Sequence, residues 1–255
     1  MLRKQDIYSF VMDMEQQGGG FSFAHDAPAT LDDTYYALRI LELLNAPYNN
    51  RETIGYIASL DFDSLMIRHL FYAAWTSKKL GIRGVFRKIE KACSNICINN
   101  LDELYYKAQL HLLGIKAGKL SLMKKEFNAL HHGSKYIHDI CYTAIISGML
   151  KIYFDEGDTI ENINEFQNHD GGWGFVKGST SFLENSYIAI KALCITKTKP
   201  QNMRGCKKFI LRCQANNGGF GRQIITAPSL ESTYHAVAAI SLLKKDTSLK
   251  LAYLL

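Results

Sequence analysis

A repeated unit is the feature of this 255-residue sequence that most constrains its fold. Three segments align without gaps: each carries two glycines and an aromatic residue, and eleven residues after the aromatic an acid begins an apolar stretch. The aromatic and acidic members are Phe21 and Asp32, Trp173 and Glu184, and Phe220 and Glu231. Gln167 and Gln214 stand six residues before the aromatic in two of these units. Self-similarity at such a period indicates stacked supersecondary units.

The middle of the chain holds weaker copies of the second half of this unit. Their acids are Asp63, Asp102 and Asp139, and consecutive acids along the whole chain are 31 to 47 residues apart. Each following stretch is apolar on nearly every face of a helix, so other helices must enclose it. The segments between these stretches, such as 86–92, are amphipathic and charged, as expected for outer helices with one solvated face.

The predicted fold is all-α: one α/α barrel domain over residues 1–255, with about six pairs of inner and outer helices. An open superhelix is the alternative arrangement for repeats of this kind. We favour the closed barrel because the predicted inner helices lack a polar stripe that an open edge would expose to water.

The overall composition argues against several classes of protein. The net charge of +6 is spread along the chain in lysine pairs, which is typical of solvated helix faces and not of a nucleic-acid-binding patch. No apolar run of about 18 residues predicts a transmembrane segment, although peripheral membrane contact stays open. No signal peptide is predicted at the start of the chain. The six cysteines have no framework spacing, which predicts free thiols in a cytoplasmic protein.

Two motifs resemble a known group of families. The segments 19–21 and 31–44 resemble the repeat of protein prenyltransferase β-subunits, and 167–174 resembles the glutamine–tryptophan motif of squalene and hopene cyclases. The resemblance implies a central, aromatic-lined cavity that holds an isoprenoid chain, with the inner-helix N-termini at its mouth, where they favour a diphosphate. The candidate lining residues are Phe21, Phe23, Tyr35, Tyr36, Trp173, Phe175 and Phe220. The alternative for Phe21, Trp173 and Phe220 is that they fasten turns to outer helices.

The segment 30–34 resembles the Asp-x-Asp-Asp-Thr motif of class II terpene cyclases, whose middle aspartic acid protonates an alkene or epoxide. The resemblance makes Asp32 the acid and Asp33 its neighbour, with Thr30 in place of the first aspartate. An apolar pocket and a like-charged neighbour both raise the pKa of a carboxyl group, as a proton donor requires. The alternative is that both aspartates cap free N–H groups in the first helical turn.

The segment 139–142 resembles the Asp-x-Cys-Tyr motif of prenyltransferase β-subunits, which implies that Asp139 and Cys141 bind zinc and that the zinc activates an acceptor thiolate. The family's third ligand is a histidine of the following repeat, where this chain has Glu184. Three nearby or later histidines do not match the pattern: His132, His138 and His235. The alternative is that Cys141 is a small core residue, because Thr34, Ser186 and Thr233 take its place in other units.

Tyrosines and basic loop residues are the candidates for substrate binding. Tyr142 matches a tyrosine that contacts diphosphate in prenyltransferases. A tyrosine recurs at this place in five units, with Met66 in the remaining one, so a repeated packing role is the alternative; these residues are Tyr35, Tyr105, Tyr142, Tyr187 and Tyr234. The basic candidates are Lys135, Lys177 and Arg222, which can equally be exposed loop residues. His235, four residues after its repeat acid, lies one helical turn deeper.

Three functions are consistent with these motifs. The first is an acid-initiated, terpene cyclase-like isomerase that needs no cofactor and acts on a prenyl diphosphate or polyprene. The second is a prenyltransferase β-like chain that uses zinc, with magnesium as an optional second ion, and that pairs with a second protein subunit. The third is a non-catalytic barrel that binds an isoprenoid or a peptide.

Overall fold

The computed structural model describes residues 2–94, 96–131 and 134–244. Within these ranges twelve α-helices alternate between an outer and an inner layer. The outer helices are α1 (Lys4–Met12), α3 (Arg51–Ala58), α5 (Val85–Cys93), α7 (Leu120–Leu130), α9 (Glu156–Glu165) and α11 (Met203–Arg212). The inner helices are α2 (Leu31–Leu44), α4 (Ile67–Lys79), α6 (Leu101–Leu112), α8 (Ile137–Leu150), α10 (Leu183–Ile195) and α12 (Leu230–Lys244). A 3₁₀ helix, Phe62–Ser64, precedes α4, and two short strands, β1 (Phe220–Gly221) and β2 (Pro228–Ser229), pair antiparallel before α12.

The inner helices form a closed ring. Each one packs against the next along the chain, and α12 packs against α2. Burial follows from this arrangement: ten of the fourteen residues of α8 are buried, whereas α5 in the outer layer buries four of its nine. The prediction of an all-α, closed α/α barrel is confirmed, and the open superhelix is excluded.

The repeated turns are fastened to the inner helices by one hydrogen bond that recurs in each complete unit. The backbone N–H of the turn aromatic donates to a hydroxyl in the first turn of the inner helix that follows. The pairs are Phe21 and Thr34 at 3.0 Å, Trp173 and Ser186 at 3.1 Å, and Phe220 and Thr233 at 2.9 Å. Each of these aromatic side chains is fully buried away from the barrel centre, and the indole N–H of Trp173 also donates to the carbonyl oxygen of Ile163 in α9. These three aromatics therefore fasten turns, and their predicted place in a central lining is wrong.

A glycine with positive φ lets each repeated turn approach the outer layer. Gly171 has a φ of 91° and its backbone packs directly against that of Gly205 in α11. Gly218, with a φ of 93°, packs in the same way against Asp6 in α1. The last turn of the chain thus contacts the first outer helix, so the outer layer closes where the inner ring does.

The α4 unit departs from the predicted repeat register. Asp63 lies in the exposed 3₁₀ helix and not in the first turn of an inner helix. The inner helix begins at Ile67, so Arg68 takes the place that an acid has in most of the other units. The predicted equivalence of Met66 with the repeat tyrosines is wrong for the same reason, because Phe71 stands at that place in α4.

Candidate functional site

The inner helices deliver side chains to the barrel axis in three layers. Residues three, four and seven positions apart lie on one face of a helix. Each first-turn residue that faces the barrel axis therefore has one residue about one turn and another about two turns farther from the helix N-terminus on the same face. The first-turn layer, the second residue of each inner helix, is Asp32, Arg68, Asp102, His138, Glu184 and Glu231, and all but Asp32 line the central cavity. The second layer is Tyr35, Phe71, Tyr105, Cys141, Tyr187 and Tyr234. At the third level lie Arg39, Trp75, Gln109 and Lys191, of which Gln109 and Lys191 form the floor of that cavity.

The predicted repeat acid Asp139 stands one residue after His138 and is not in the lining, so its predicted equivalence with the other acids is wrong. Tyr142 stands one residue after Cys141, at the position of Tyr36, Tyr72 and Tyr106, so its predicted equivalence with the repeat tyrosines is wrong.

A cavity of about 200 Å³ opens at the N-terminal ends of the inner helices. Eight tyrosines line it: Tyr35, Tyr36, Tyr72, Tyr105, Tyr106, Tyr142, Tyr187 and Tyr234. The charged and imidazole groups of the lining are Arg68, Asp102, His138, Glu184, Lys191, Glu231 and His235. The predicted tyrosines and His235 are thus brought together around one cavity. The cavity is lined by aromatic residues, as predicted, but it is small and carries hydroxyl and charged groups because tyrosine rings occupy much of the barrel centre.

Hydrogen bonds between tyrosine hydroxyls organise the lining. The Tyr36 hydroxyl lies 2.9 Å from that of Tyr72 and donates to Glu231 at 3.0 Å. The rings of Tyr35 and Tyr72 stack with centroids 4.0 Å apart. Burial raises the pKa of Tyr36 and Tyr72 well above its usual range, so both remain neutral hydrogen-bonding groups. The tyrosine rings therefore pack against one another, while their hydroxyls face the cavity as hydrogen-bonding groups. The packing role and the binding role that the sequence offered as alternatives are compatible.

Two buried cations lie below the tyrosine layer, Lys191 in the cavity lining and Arg39 outside it. The Arg39 guanidinium lies 4.7 Å from the centroid of the Trp75 ring and is 6% exposed. Lys191 is 2% exposed, and its amine donates a hydrogen bond to the Tyr105 hydroxyl at 2.8 Å. Burial lowers the pKa of Lys191 to about 7, and the positive charge of Arg39 acts in the same direction. Sequence reasoning missed both residues, although a charged residue flanked by apolar ones in an inner helix was the available signal.

The acids at the mouth are engaged in ion pairs and hydrogen bonds. Arg68 contacts Asp102 at 3.0 Å, and Asp102 also accepts from the Tyr142 hydroxyl at 2.9 Å. Glu184 forms an ion pair with Arg222, which comes from the turn before α12. Arg222, one of the predicted basic loop residues, therefore contacts a residue of the cavity lining but does not line the cavity itself.

Asp32 and Asp33 lie beside the mouth and outside the cavity lining. Asp32 is 45% exposed and lies 3.1 Å from the imidazole of His69. Asp33 accepts a hydrogen bond from the Thr30 hydroxyl at 2.9 Å, and Thr30 also caps α2 by accepting from the N–H of Asp33. Burial raises the pKa of Asp33, although the bond from Thr30 opposes that shift. Burial thus perturbs the pKa of Asp33, whereas Asp32 is paired with His69 and 45% exposed.

The predicted zinc ligands do not form a metal site in the part of the chain that is described. Asp139 accepts a hydrogen bond from Ser134 at 2.7 Å. Cys141 is fully buried, and burial raises the pKa of its thiol well above the usual range, which disfavours the thiolate that zinc needs. Within residues 2–94, 96–131 and 134–244 no three His, Cys, Asp or Glu side chains are grouped to hold a metal ion. His132 lies outside the described residues, and the zinc prediction itself stays a prediction.

The remaining predicted residues lie away from the cavity. Lys135 lies 5.4 Å from the ring centroid of Tyr136, and Lys177 forms an exposed ion pair with Glu165 at 3.0 Å. Phe23 and Phe175 are exposed, which removes them from the predicted lining.

The model of the prenyltransferase alpha-alpha toroid domain matches residues 2–68 and 127–255. The chain belongs to this family. The unmatched stretch of the toroid, 69–126, contains most of α4 and all of α6, where the sequence repeat was weakest. No curated protein matches the chain. None of the helices in the described part of this toroid has the length and apolar character needed to cross a membrane.

Proposed function

We propose that this toroid handles a short isoprenoid ligand in its central cavity. The observation that carries the proposal is a closed inner ring around a tyrosine-lined cavity that opens at the helix N-termini. Membership of the prenyltransferase toroid family supports an isoprenoid as the ligand. The faces of tyrosine rings also attract cations, which suits chemistry that passes through a carbocation.

The size and polarity of the cavity favour a short ligand. Pockets for drug-sized molecules have volumes of about 300 to 1,000 Å³, whereas this cavity measures about 200 Å³. A prenyl or geranyl group fits such a space better than a long polyprene does. Helix N-termini at the mouth favour the diphosphate end, which would have to compete with Asp102 and Glu184 for Arg68 and Arg222.

Acid-initiated cyclisation is the second candidate, and it requires the ligand to extend to Asp33, which lies beside the mouth and outside the cavity lining. Burial keeps this carboxyl protonated to a higher pH than usual, as a proton donor requires. We expect Asp33→Asn to abolish any cyclisation and Asp32→Asn to retain it. The reverse pattern would restore Asp32 as the acid, and cyclisation in both variants would remove this candidate.

The zinc-dependent transferase and the non-catalytic binder remain alternatives that the same experiment separates. The protein is titrated calorimetrically with dimethylallyl, geranyl, farnesyl and geranylgeranyl diphosphates, with and without zinc. Each mixture is then incubated with and without a cysteine-containing peptide as the acceptor, and products are identified by mass spectrometry. We expect saturable binding of the two shorter diphosphates and at least tenfold weaker binding of geranylgeranyl diphosphate. Product formation only with zinc supports the transferase, and binding without any product supports the binder.

A pair of tryptophan variants tests whether the ligand occupies the central cavity. Ile188 is buried and lines the cavity, so Ile188→Trp should fill it and weaken binding at least tenfold. Tyr153→Trp adds the same indole at an exposed outer position and should leave binding unchanged. Absence of binding by the wild-type protein, or equal binding by Ile188→Trp, would refute the proposal.

A further inference from the structure

Two lysines of the described chain are buried, and they have opposite surroundings. Lys107 in α6 lies between the layers and forms an ion pair with both oxygens of Glu126, at 2.8 and 3.0 Å. Lys191 in α10 lines the central cavity, and no ion pair among the described residues involves it. A buried ammonium group without a carboxylate partner is costly, which points to a role other than stability.

Polar and aromatic groups from the neighbouring inner helices surround Lys191. The amine donates to the Tyr105 hydroxyl at 2.8 Å and lies 5.1 Å from the centroid of that ring. The other titratable groups of the lining around it are His138 and Tyr142 on α8, Glu184 and Tyr187 on α10, and Tyr234 and His235 on α12. The buried Arg39 of α2 lies outside the lining but close enough to lower the pKa of Lys191. Gln109, one turn below Tyr105, has a buried side-chain oxygen without a hydrogen-bond partner among the described residues. The floor thus presents an amine, a phenol and an acceptor to whatever enters the cavity.

We propose that Lys191 is a nucleophilic amine that forms a Schiff base with a small aldehyde or ketone in the central cavity. Lysines become nucleophilic when they are desolvated or placed next to another cation, and Lys191 meets both conditions. Its pKa of about 7 leaves a large neutral fraction at neutral pH. A cavity of about 200 Å³ admits a carbonyl compound of a few carbon atoms.

The step balances without an oxidant or reductant. The lone pair of the neutral Lys191 amine forms a bond to the carbonyl carbon, and the carbonyl π electrons move to oxygen. The Tyr105 hydroxyl, at hydrogen-bonding distance from the amine, transfers a proton to that oxygen and takes one from the nitrogen. The same Tyr105 hydroxyl then gives its proton to the carbinolamine oxygen, which leaves as water while the nitrogen lone pair forms the C=N bond, and the resulting phenolate takes the remaining proton from the nitrogen. One amine and one carbonyl give one imine and one water.

Reductive trapping tests this site in the intact 255-residue chain. The protein is treated at about pH 7 with 3-methylbutanal and sodium cyanoborohydride, and alkylation at each lysine is followed by peptide mass spectrometry. We expect Lys191 to be alkylated at least tenfold faster than exposed Lys177, because burial lowers the pKa of Lys191 and so increases the neutral fraction of its amine. Lys107, buried to a similar extent but paired with Glu126, should remain unmodified.

Two variants connect the reactivity to the geometry. Tyr105→Phe removes the phenolic proton donor and should slow alkylation of Lys191 tenfold or more, with Lys177 unchanged as the internal reference. Lys191→Arg, which keeps a cation but cannot form an imine, should lose the trapped adduct. Circular dichroism verifies that both variants are folded, and the wild-type comparison of Lys191 with Lys107 and Lys177 does not depend on either.

Alkylation of Lys191 no faster than that of Lys177 in the folded wild-type protein would overturn the proposal. So would a Tyr105→Phe variant that folds and reacts at the wild-type rate, because the amine would then not depend on the adjacent phenol. The site shares the cavity of the proposed function but not its ligand. Binding of geranyl diphosphate and trapping of 3-methylbutanal are separate measurements, so each proposal can fail alone.

Discussion

Thr233 accepts a hydrogen bond from the backbone N–H of Phe220 at 2.9 Å and donates one to the carbonyl oxygen of Ser229 at 2.6 Å. One hydroxyl thereby joins the last repeated turn to the start of α12. Ser186 makes the equivalent pair of contacts, with Trp173 and with Phe182. Each of these sequence repeats therefore carries the same hydrogen bonds between turn and helix, as well as the same helix packing.

We expect Thr233→Val to lower the free energy of unfolding by about 1 to 3 kcal/mol, because it leaves the buried N–H of Phe220 without an acceptor. Thr76→Val is the matched control, since the Thr76 hydroxyl is buried in α4 without a hydrogen-bond partner among the described residues. That change should be neutral or stabilising. Urea unfolding of both variants measures the difference, and equal effects would contradict the fastening role of Thr233.

The turn glycines give a second prediction about the repeat. Gly171 and Gly178 both have positive φ, at 91° and 78°. A Cβ atom on Gly171 would overlap the backbone of Gly205 and Cys206, whereas one on Gly178 meets open space. Gly178→Ala should cost about 1 to 2 kcal/mol from the backbone conformation alone. Gly171→Ala should cost at least about 2 kcal/mol more, as seen in thermal or urea unfolding, and similar losses would show that the close approach is unimportant.

Much of the fold could be predicted from the sequence because the same residues define the repeat and make its contacts. The glycine, the aromatic and the hydroxyl of each complete unit sit at fixed spacings, and each makes a specific contact in the structure. The register of the α4 unit could not be predicted, because this unit has no glycine–aromatic turn to fix it. Asp63 is the nearest acid in the sequence, and the structure gives its place to Arg68.

The candidate site was harder to predict, because its character depends on contacts between helices. The tyrosines were identified by their recurrence, but a ring such as that of Tyr35 fills the centre only because α4 places Tyr72 against it. Lys191 and Arg39 lie in separate repeats, and neither position is marked by a motif. These two residues come close only because the ring of inner helices closes. The sequence of a single repeat does not specify that closure.

Removing one partner of the buried pair of Lys107 and Glu126 should strongly lower the free energy of unfolding. Lys107→Met leaves the Glu126 carboxylate largely buried without its partner, and we expect a loss of about 3 kcal/mol or more in the free energy of unfolding. Lys177→Met breaks the exposed pair with Glu165 and should change it by less than about 1 kcal/mol. Urea unfolding of the two variants is the measurement, and a ranking in the opposite order would contradict the assigned burial.

His235 should make the protein less stable as the pH falls below neutral. Burial lowers its pKa to about 4 in the folded chain, whereas an unfolded histidine titrates near its usual value of about 6.5. Between these two values the unfolded chain binds a proton that the folded chain does not, so the free energy of unfolding decreases as the pH decreases through this window. Above about pH 6.5 both states are neutral at this residue and the effect is absent.

Urea unfolding at about pH 7 and about pH 5 measures the contribution of His235. The drop in stability between these conditions should shrink in His235→Gln, because glutamine does not titrate. His25→Gln changes an exposed histidine and should keep the wild-type drop. An unchanged drop in His235→Gln would mean that this imidazole is protonated inside the cavity, stabilised by Glu184 against the cost of burial.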